Sequence, residues 1–307
     1  MNDFIAPTTF PATMGSPGFV DGIFPRTVAH FAGRTALAAR PTRLAILATG
    51  ELDAALSLGF VPVAATDSNI ADGVPPYLRA RFPALALDAI TFIGQRTAPD
   101  LARLAALQPD LIVGTQAGVH GRIHSQLAAI APTVLMGGHG YNWKQDFLLF
   151  AEALGERHAA QALMADYAVQ AAALAAQRAL RGQLGQTVSF ARFGPKGLEV
   201  YGRHSFIDVI AADIGLARPA AQQFDLPARA VGPDQAHWVD ADWLFYSDMD
   251  HPAARQAQRD FAPHWDTLAA VRNGRACRID AQAWYGNAGP AAAVQVIADI
   301  ARAMGGA

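Results

Sequence analysis

Three histidines in the first half of the chain have the spacing of metal ligands. His120 and His124 are four residues apart, so a helix there would place both imidazoles on one face, and His139 follows in a later loop. Three imidazoles could bind zinc or a similar divalent ion. However, Gly121 indicates that His120 still lies in a loop, and no acidic residue is close in the sequence. We therefore expect surface or pocket-lining histidines and no metal ligands, with the zinc site as the alternative.

The sequence lacks the common motifs of catalysis. It has no Gly-x-Ser-x-Gly elbow, no Gly-x-x-x-x-Gly-Lys phosphate loop and no His-Glu-x-x-His pair. His204, Ser205 and Asp208 lie close together, but such neighbours at the start of a helix are usually caps. We expect no catalytic residues, and a protein that is not an enzyme.

Arginine and flat aromatic side chains follow the ends of several predicted strands. Ligands of open parallel sheets bind beyond the carboxyl ends of the strands. Large apolar surfaces with a few fixed cations are typical of a small-molecule pocket. The residues that we expect to bind the ligand are Arg96, Gln116, His120, Tyr141, Trp143, Arg192, Trp284 and Tyr285.

An α/β framework must position these side chains. From Arg43 onward, short apolar runs alternate with helical stretches, a pattern that favours a parallel sheet with right-handed crossovers. A helical pattern then ends at Gly155, a residue type that often terminates helices. The predicted strands of the first half are 44–48, 61–65, 89–94, 111–114 and 133–136.

A long helix and a second α/β region follow. Residues 156–181 contain no Pro or Gly and would form a rod of ~39 Å. Beyond Gly185, strands are predicted at 187–193, 198–201, 242–246 and 276–280. The prediction is two Rossmann-like α/β lobes with mainly parallel sheets, joined by a single long α-helix. We place the N-terminal lobe at 1–155, the connecting helix at 156–181 and the C-terminal lobe at 182–307.

Composition excludes several classes of protein. The chain has 307 residues, 52% of them hydrophobic and 16% charged, which predicts folded lobes with large cores. With 24 basic against 26 acidic residues, it has no excess of positive charge for nucleic acid. No apolar run is long enough to span a membrane, so we expect a soluble protein. Cys277 is the single cysteine, which excludes an internal disulfide, and no secretory signal is visible before Ala29.

Several segments, in order, resemble bacterial iron-siderophore substrate-binding proteins of ABC transporters, the class with a helical backbone. The resemblance extends over nearly the whole chain, from about Phe24 to Met304. It implies rigid lobes, one linking helix, a shallow cleft and no intrinsic cofactor, with the iron-siderophore as ligand. The segments that carry it are Phe24–Val28 with Pro41–Leu44, Leu104–Ile112, Ile130–Val134 and Trp265–Arg275.

Within that family, Gly94–Leu101 is similar to the loop of ferric-hydroxamate binding proteins, and Arg96 takes the place of the arginine that contacts the hydroxamate oxygens. Ala283–Gly286 resembles their aromatic wall, with Ala283 in place of a further aromatic residue. The resemblance also implies a periplasmic, monomeric carrier that docks on an inner-membrane ABC permease through one acid per lobe. Asp208 matches the second-lobe acid, whereas Ala102 occupies the first-lobe position.

The same fold type leaves other ligands open. A haem, cobalamin or divalent-metal binding protein is the alternative to a carrier of ferric hydroxamates. A ferric ion prefers six oxygen ligands, and a siderophore supplies all of them. We therefore expect Arg96 and Arg192 to donate charge-assisted hydrogen bonds to iron-bound oxygens, and aromatic rings to cover the chelate arms.

Overall fold

The computed structural model describes residues 14, 15, 18–68, 70 and 72–305, and their contacts divide into two units. The first unit holds the described residues up to Asp166 together with Gly286–Ala292. The second unit holds Tyr167–Tyr285 and the described residues from Ala293 onward. The last helix of the chain therefore starts in the first unit and continues in the second. The lobe boundaries that we expect at residues 155 and 182 stay a prediction.

The first unit is built on a five-stranded parallel sheet. A hairpin of β1 (Arg26–His30) and β2 (Gly33–Leu37) precedes it. The sheet strands are β3 (Leu44–Ile46), β4 (Ala64–Asp67), β5 (Thr91–Gln95), β6 (Leu111–Thr115) and β7 (Thr133–Met136). Their order is β5-β4-β3-β6-β7, and all neighbours are parallel.

Helices cover this sheet. Most of its strands are therefore buried and consist of continuous runs of apolar residues. Every residue of β3, β6 and β7 is buried, as expected for strands enclosed on both faces. One core cluster includes Ala45, Ile93, Ile112 and Leu127. The helices are α1 (Thr49–Ser57), α2 (Pro76–Arg81), α3 (Leu101–Ala106), α4 (Val119–Arg122), α5 (His124–Ile130) and α6 (Trp143–Leu154).

A buried carboxylate fastens a late segment of the chain to the first unit. Asp53, on α1, has no exposed surface. It accepts hydrogen bonds from the backbone N–H groups of Ala291 and Ala292, both at 2.8 Å, and from the hydroxyl of Tyr77 at 2.7 Å. Burial raises the pKa of the Asp53 carboxyl above its ordinary value. A side chain near the start of the sequence thus supplies the N-terminal cap of the last helix, Pro290–Gly305.

The long helix predicted at 156–181 is confirmed as α7 (Arg157–Leu180). The preceding helix ends where the sequence predicts, because Gly155 adopts a left-handed conformation with φ of 78°. Among the described residues, no helix is both long and apolar enough to cross a bilayer.

The second unit has a mixed sheet. Its strands are β8 (Val188–Gly194), β9 (Gly197–Tyr201), β10 (Ala228–Val231), β11 (Trp243–Asp248) and β12 (Ala276–Arg278). The order is β10-β9-β8-β11-β12, in which β8, β11 and β12 are parallel and β9 and β10 are antiparallel to their neighbours. The helices are α8 (Phe206–Asp213), α9 (Pro252–Trp265), α10 (Ala269–Arg272) and α11 (Pro290–Gly305).

Candidate functional site

Predicted ligand residues gather at the carboxyl edge of the first sheet. The strand order reverses direction between β3 and β6, which makes this edge a topological switch point where ligands bind in open parallel sheets. Arg96 follows β5, Gln116 follows β6 and Tyr141 lies in the turn after β7. We call Arg96, Gln116 and Tyr141 the first-unit site.

Arg96 is the cation of the first-unit site. Its side chain is partly exposed, and its guanidinium makes no hydrogen bond or salt bridge within the part of the chain that the structure describes. Its backbone is held on both sides: the N–H donates to the carbonyl of Asp67 at 3.3 Å, and the carbonyl accepts from the His120 ring at 3.0 Å. A fixed backbone with an uncommitted guanidinium suits recognition of an anionic or oxygen-rich ligand.

His120 braces the loops around Arg96. It is 1% exposed, its Nδ1 accepts from the Thr115 N–H at 3.2 Å, and its Nε2 donates to the Arg96 carbonyl. Burial is the main reason that its pKa falls to about 4, so the ring is neutral near pH 7. We expected His120 to contact the ligand, but it is buried and both of its ring nitrogens are engaged. The structure assigns it a positioning role instead.

The aromatic residues of the first unit differ in exposure. Tyr141 is half-buried, and its ring stacks on His139 with centroids 5.4 Å apart and an interplanar angle of 16°. Trp143, the first residue of α6, is 1% exposed. We expected Trp143 to line the ligand pocket, but in this structure its ring packs inside the unit because the first turn of α6 points it inward.

Two buried carboxyls lie close to the carboxyl ends of strands β3 and β7. Asp146 accepts the N–H groups of Gly137 and Gly138, both at 2.9 Å, and burial raises its pKa to about 6. Glu51, in the first turn of α1, is 7% exposed. Burial, followed by the negative charge of Asp146, raises the pKa of Glu51 to about 8, and the charge of Arg96 partly opposes that rise.

The predicted second-lobe residues lie around β8 and β9. Arg192 forms an ion pair with Glu199 at 2.7 Å, and its guanidinium lies 5.7 Å from the centroid of the Tyr201 ring. Tyr201 stacks on Tyr285 with centroids 4.1 Å apart, and the Tyr285 hydroxyl donates to the Phe245 carbonyl at 3.3 Å. Burial raises the pKa of both tyrosines well above 10, so both hydroxyls stay protonated. We call Arg192, Tyr201 and Tyr285 the second-unit site.

Trp284 belongs to the core of the second unit. It has no exposed surface, its indole N–H donates to Asp299 at 3.0 Å, and its ring stacks on Phe245 at 5.1 Å. We expected it to cover the ligand beside Tyr285. Its side chain instead packs in the core of the second unit and has no surface to offer a ligand.

Asp208, the predicted docking acid, has an internal partner. It lies in the first turn of α8 behind the Ser205 cap and pairs with Arg218 at 2.9 Å, and 22% of its side chain is exposed. The Arg218 guanidinium is 6% exposed and also donates to the carbonyls of Val188 and Tyr201. Burial raises the pKa of Asp208 even though the charge of Arg218 acts in the opposite direction.

The described residues include no group of three metal-ligating side chains. His120 uses both ring nitrogens in hydrogen bonds to the backbone of Thr115 and Arg96. The His124 ring lies 5.9 Å from that of His30. His139 stacks on Tyr141. The three histidines thus have separate surroundings, and nothing in their contacts favours the zinc alternative.

Three residues in or near these sites were not predicted from the sequence. Tyr201 ends a strand that was predicted, but antiparallel pairing of that strand was not. Glu199 was not predicted to be buried, because a charged residue inside a strand is usually exposed. Glu51 had a usable signal, since it follows the first strand of the parallel sheet and therefore lies at its carboxyl edge.

Known proteins resemble this chain over most of its length. A family model described as periplasmic binding protein matches residues 44–283. The probable siderophore-binding lipoprotein YfiY of Bacillus subtilis is 30% identical over 292 residues, covering 90% of this chain and 86% of that protein. The Fe(3+) dicitrate-binding periplasmic protein FecB of Escherichia coli is 25% identical over 281 residues, covering 90% and 89%.

A solved structure agrees with these relatives. Staphylococcus aureus SirA complexed with staphyloferrin B has a TM-score of 0.79 at 24% identity, over 91% of this chain and 98% of that one. The fold prediction of α/β lobes with a long helix is therefore confirmed, as is the resemblance to siderophore-binding proteins. With the family model matched over residues 44–283, the chain belongs to the periplasmic binding protein family.

Proposed function

We propose that this protein captures a ferric siderophore and delivers it to an ABC permease. Two relatives are named for such ligands, a siderophore for YfiY and ferric dicitrate for FecB. The observation that carries the proposal is Arg96, whose backbone is braced at the carboxyl edge of a parallel sheet while its guanidinium has no partner among the described residues. That arrangement holds a cation ready for a ligand.

The recognition chemistry follows from the nature of the ligand. A siderophore fills all six positions around the ferric ion with its own oxygens, so the protein needs no metal ligand and no cofactor. Those oxygens carry partial negative charge, and a guanidinium can donate two hydrogen bonds to them in fixed geometry. Arg96 is the donor that we propose for the first unit, with Gln116 and Tyr141 beside it.

The second-unit site offers an apolar surface next to a fixed cation. Glu199 keeps the Arg192 guanidinium in place, and the stacked pair of Tyr201 and Tyr285 supplies a flat apolar face. Aromatic faces of this kind can bury the carbon arms of a chelate. We propose Arg192 and Tyr285 as the ligand contacts of this unit, supported by Trp284 from behind.

The finer assignments rest on the sequence resemblance. We propose a hydroxamate-type ligand from the loop Gly94–Leu101, and ferric dicitrate is the ligand class to compare, given FecB. We also propose a periplasmic monomer that docks on an inner-membrane permease. Asp208 is the proposed docking residue of the second unit, and its ion pair with Arg218 holds its carboxylate in a single orientation.

Substitution of Arg96 tests the proposal. Arg96→Ala is expected to weaken binding of a ferric trihydroxamate by about 1.5 to 3 kcal/mol, the contribution of a hydrogen bond to a charged group. Quenching of tryptophan fluorescence measures the affinity, with ferric dicitrate, a ferric catecholate, haem and cobalamin as the other ligands. Preferred binding of haem or cobalamin would support the alternative function.

An exposed arginine of the same unit serves as the matched control. Arg103 is exposed on α3 and is not among the residues of the first-unit site. Arg103→Ala removes the same charge, and its affinity for the ligand should equal that of the wild type within error. Equal affinities of Arg96→Ala and the wild type for every ferric ligand would remove Arg96 from the binding surface.

A further inference from the structure

The second sheet has a cavity on the face that α9 covers. Its volume is about 490 Å³, and its walls are the ends of β8, β11 and β12 together with the second half of α9. Phe193 of β8 lines it, whereas the preceding residue, Arg192, belongs to the second-unit site. Because successive side chains of a strand point to opposite faces of a sheet, the cavity and the second-unit site lie on opposite faces. The proposed function therefore leaves this cavity without a role.

Aromatic rings form one wall of the cavity. The Trp265 ring packs against Tyr246 with centroids 4.9 Å apart and an interplanar angle of 72°, and against Phe193 at 6.0 Å and 50°. Phe193 in turn meets Phe261 at 78°. Rings at such steep angles present faces as well as edges to the space that they line, and an aromatic face carries partial negative charge. Trp265 and Tyr246 are only half-buried, so a ligand can reach this wall from solvent.

The charged side chains of the cavity leave one negative charge uncompensated. Asp248 accepts hydrogen bonds from the Arg278 guanidinium at 2.7 Å and from the Gln258 amide at 3.2 Å, so the charges of Asp248 and Arg278 offset each other. Asp266 also lines the cavity, and its carboxylate makes no hydrogen bond or salt bridge with any residue that the structure describes. It follows the last residue of α9, where the helix dipole disfavours an anion. A cation beside Asp266 would offset both the carboxylate charge and the negative end of the helix.

We propose that this cavity binds a small organic cation, an ammonium ion that carries apolar substituents. The aromatic faces attract the cation, Asp266 and the C-terminus of α9 supply negative potential, and the substituents fill the space beside the rings. An anion fits less well, because it meets the free charge of Asp266 while Arg278 is already paired with Asp248. A bare metal ion needs several protein ligands, and the described residues offer no group of three. This role does not depend on the proposed function.

The charge of the ligand is tested first, on the wild type. Choline is the probe, and the control is its neutral isostere, in which a tert-butyl group replaces the trimethylammonium group. Calorimetric titration at low ionic strength should give a Kd for choline about five- to thirtyfold below that of the isostere, as expected for cation–π contacts that are partly desolvated. Equal affinities, or no binding of choline at millimolar concentration, would overturn the proposal.

Removal of one charge tests the contribution of Asp266. Asp266→Asn should raise the Kd of choline about two- to fivefold, the effect of an exposed ion pair, and leave that of the neutral isostere unchanged. Asp260→Asn is the matched control, because Asp260 is an exposed acid of the same helix, accepts from Gln256 and is not part of the cavity wall. A choline Kd that responds equally to both substitutions would show a general effect of charge and contradict the proposed site.

Tryptophan resonances locate the bound cation without relying on affinity. In a heteronuclear NMR spectrum of the wild type, choline should shift the indole N–H signal of Trp265, which is identified by its loss in the conservative variant Trp265→Phe. The assigned signal of Trp284 should stay in place, because Trp284 has no exposed surface and stacks on Phe245. Shifts confined to tryptophans other than Trp265 would place choline elsewhere and overturn the proposal.

Discussion

The two units stabilise most of their buried acids in different ways, and the exception is Glu152 of the first unit, which pairs with Arg157 at 3.0 Å. In the first unit, the carboxyls of Asp53 and Asp146 accept hydrogen bonds from backbone amides and a hydroxyl. In the second unit, the buried Glu199 pairs with Arg192, and the partly buried Asp208 pairs with Arg218. An amide donor has no charge and so offsets less of the burial penalty on a carboxylate than an arginine does.

The two units should also differ in how their stability responds to pH. The first unit holds groups with pKa values of about 8 for Glu51, about 6 for Asp146 and about 4 for His120 and His30. The Arg218 guanidinium of the second unit stays charged at neutral pH, since burial lowers its pKa only to about 10. Changes between pH 4 and 9 should therefore act mainly through the first unit, and charge-removing substitutions mainly through the second.

The largest expected effect is the loss of the Arg218 ion pair. Arg218→Met should lower the free energy of unfolding by about 3 to 5 kcal/mol, because it leaves Asp208 and two carbonyls without their buried donor. Urea unfolding at pH 7 measures the difference. Arg79→Met is the matched control, because Arg79 forms an exposed pair with Asp88 and should lose less than about 1 kcal/mol. A loss below 1 kcal/mol for Arg218→Met would contradict the claim that pairing with arginine stabilises the partly buried acid of the second unit.

A smaller and opposite effect is expected at Glu51. Its pKa is higher in the folded state, so the folded protein binds the extra proton and the wild type loses stability as the pH rises from about 4.5 to about 8. Glu51→Gln does not ionise, so its free energy of unfolding should exceed that of the wild type by about 2 to 4 kcal/mol at pH 8. The two curves should converge near pH 4.5. Curves that stay parallel from pH 4.5 to 8 would show that Glu51 does not titrate in this window.

The smallest effect should come from the buried histidines. His30 and His120 have lowered pKa values, so stability present above pH 6.5 is lost as the pH falls toward 4. His120→Gln should remove about 1 to 2 kcal/mol of that pH dependence. The exposed His237 of the second unit provides the control His237→Gln, which should keep the wild-type curve. Identical acid unfolding of His120→Gln and the wild type would contradict the neutral, bonded state of His120.

The elements that were predicted well have strong local signals. The helix from Trp143 to Leu154 combines apolar periodicity with a terminal glycine, and the long α7 has no residue that would break it. The parallel strands of the first unit are continuous apolar runs. By contrast, the antiparallel β10 was missed, since two of its four residues are exposed and no apolar pattern marks it.

For the candidate site residues, the sequence predicted the position along the chain relative to the strands but not the direction of each side chain. The structure places Arg96 at the carboxyl edge of the first sheet, as the predicted strand ends indicated, and its contact with a ligand stays a prediction. The sequence could not show that Trp284 points inward, because neighbouring residues of one turn face opposite directions and only tertiary packing decides between them. The same limit hid the ion pair between Arg192 and Glu199, which depends on the antiparallel register of β8 and β9.

The cap that Asp53 provides ties the beginning of the chain to its end. The amides of Ala291 and Ala292 are made about 240 residues after the carboxyl that receives them. During synthesis, nearly the entire polypeptide must therefore be made before the Asp53 carboxyl has all of its hydrogen-bond donors. A chain that ends at Tyr285 would keep every strand of the first sheet, but its Asp53 carboxyl would lack both backbone donors. The first unit should therefore reach its full stability only when the chain extends through Ala292.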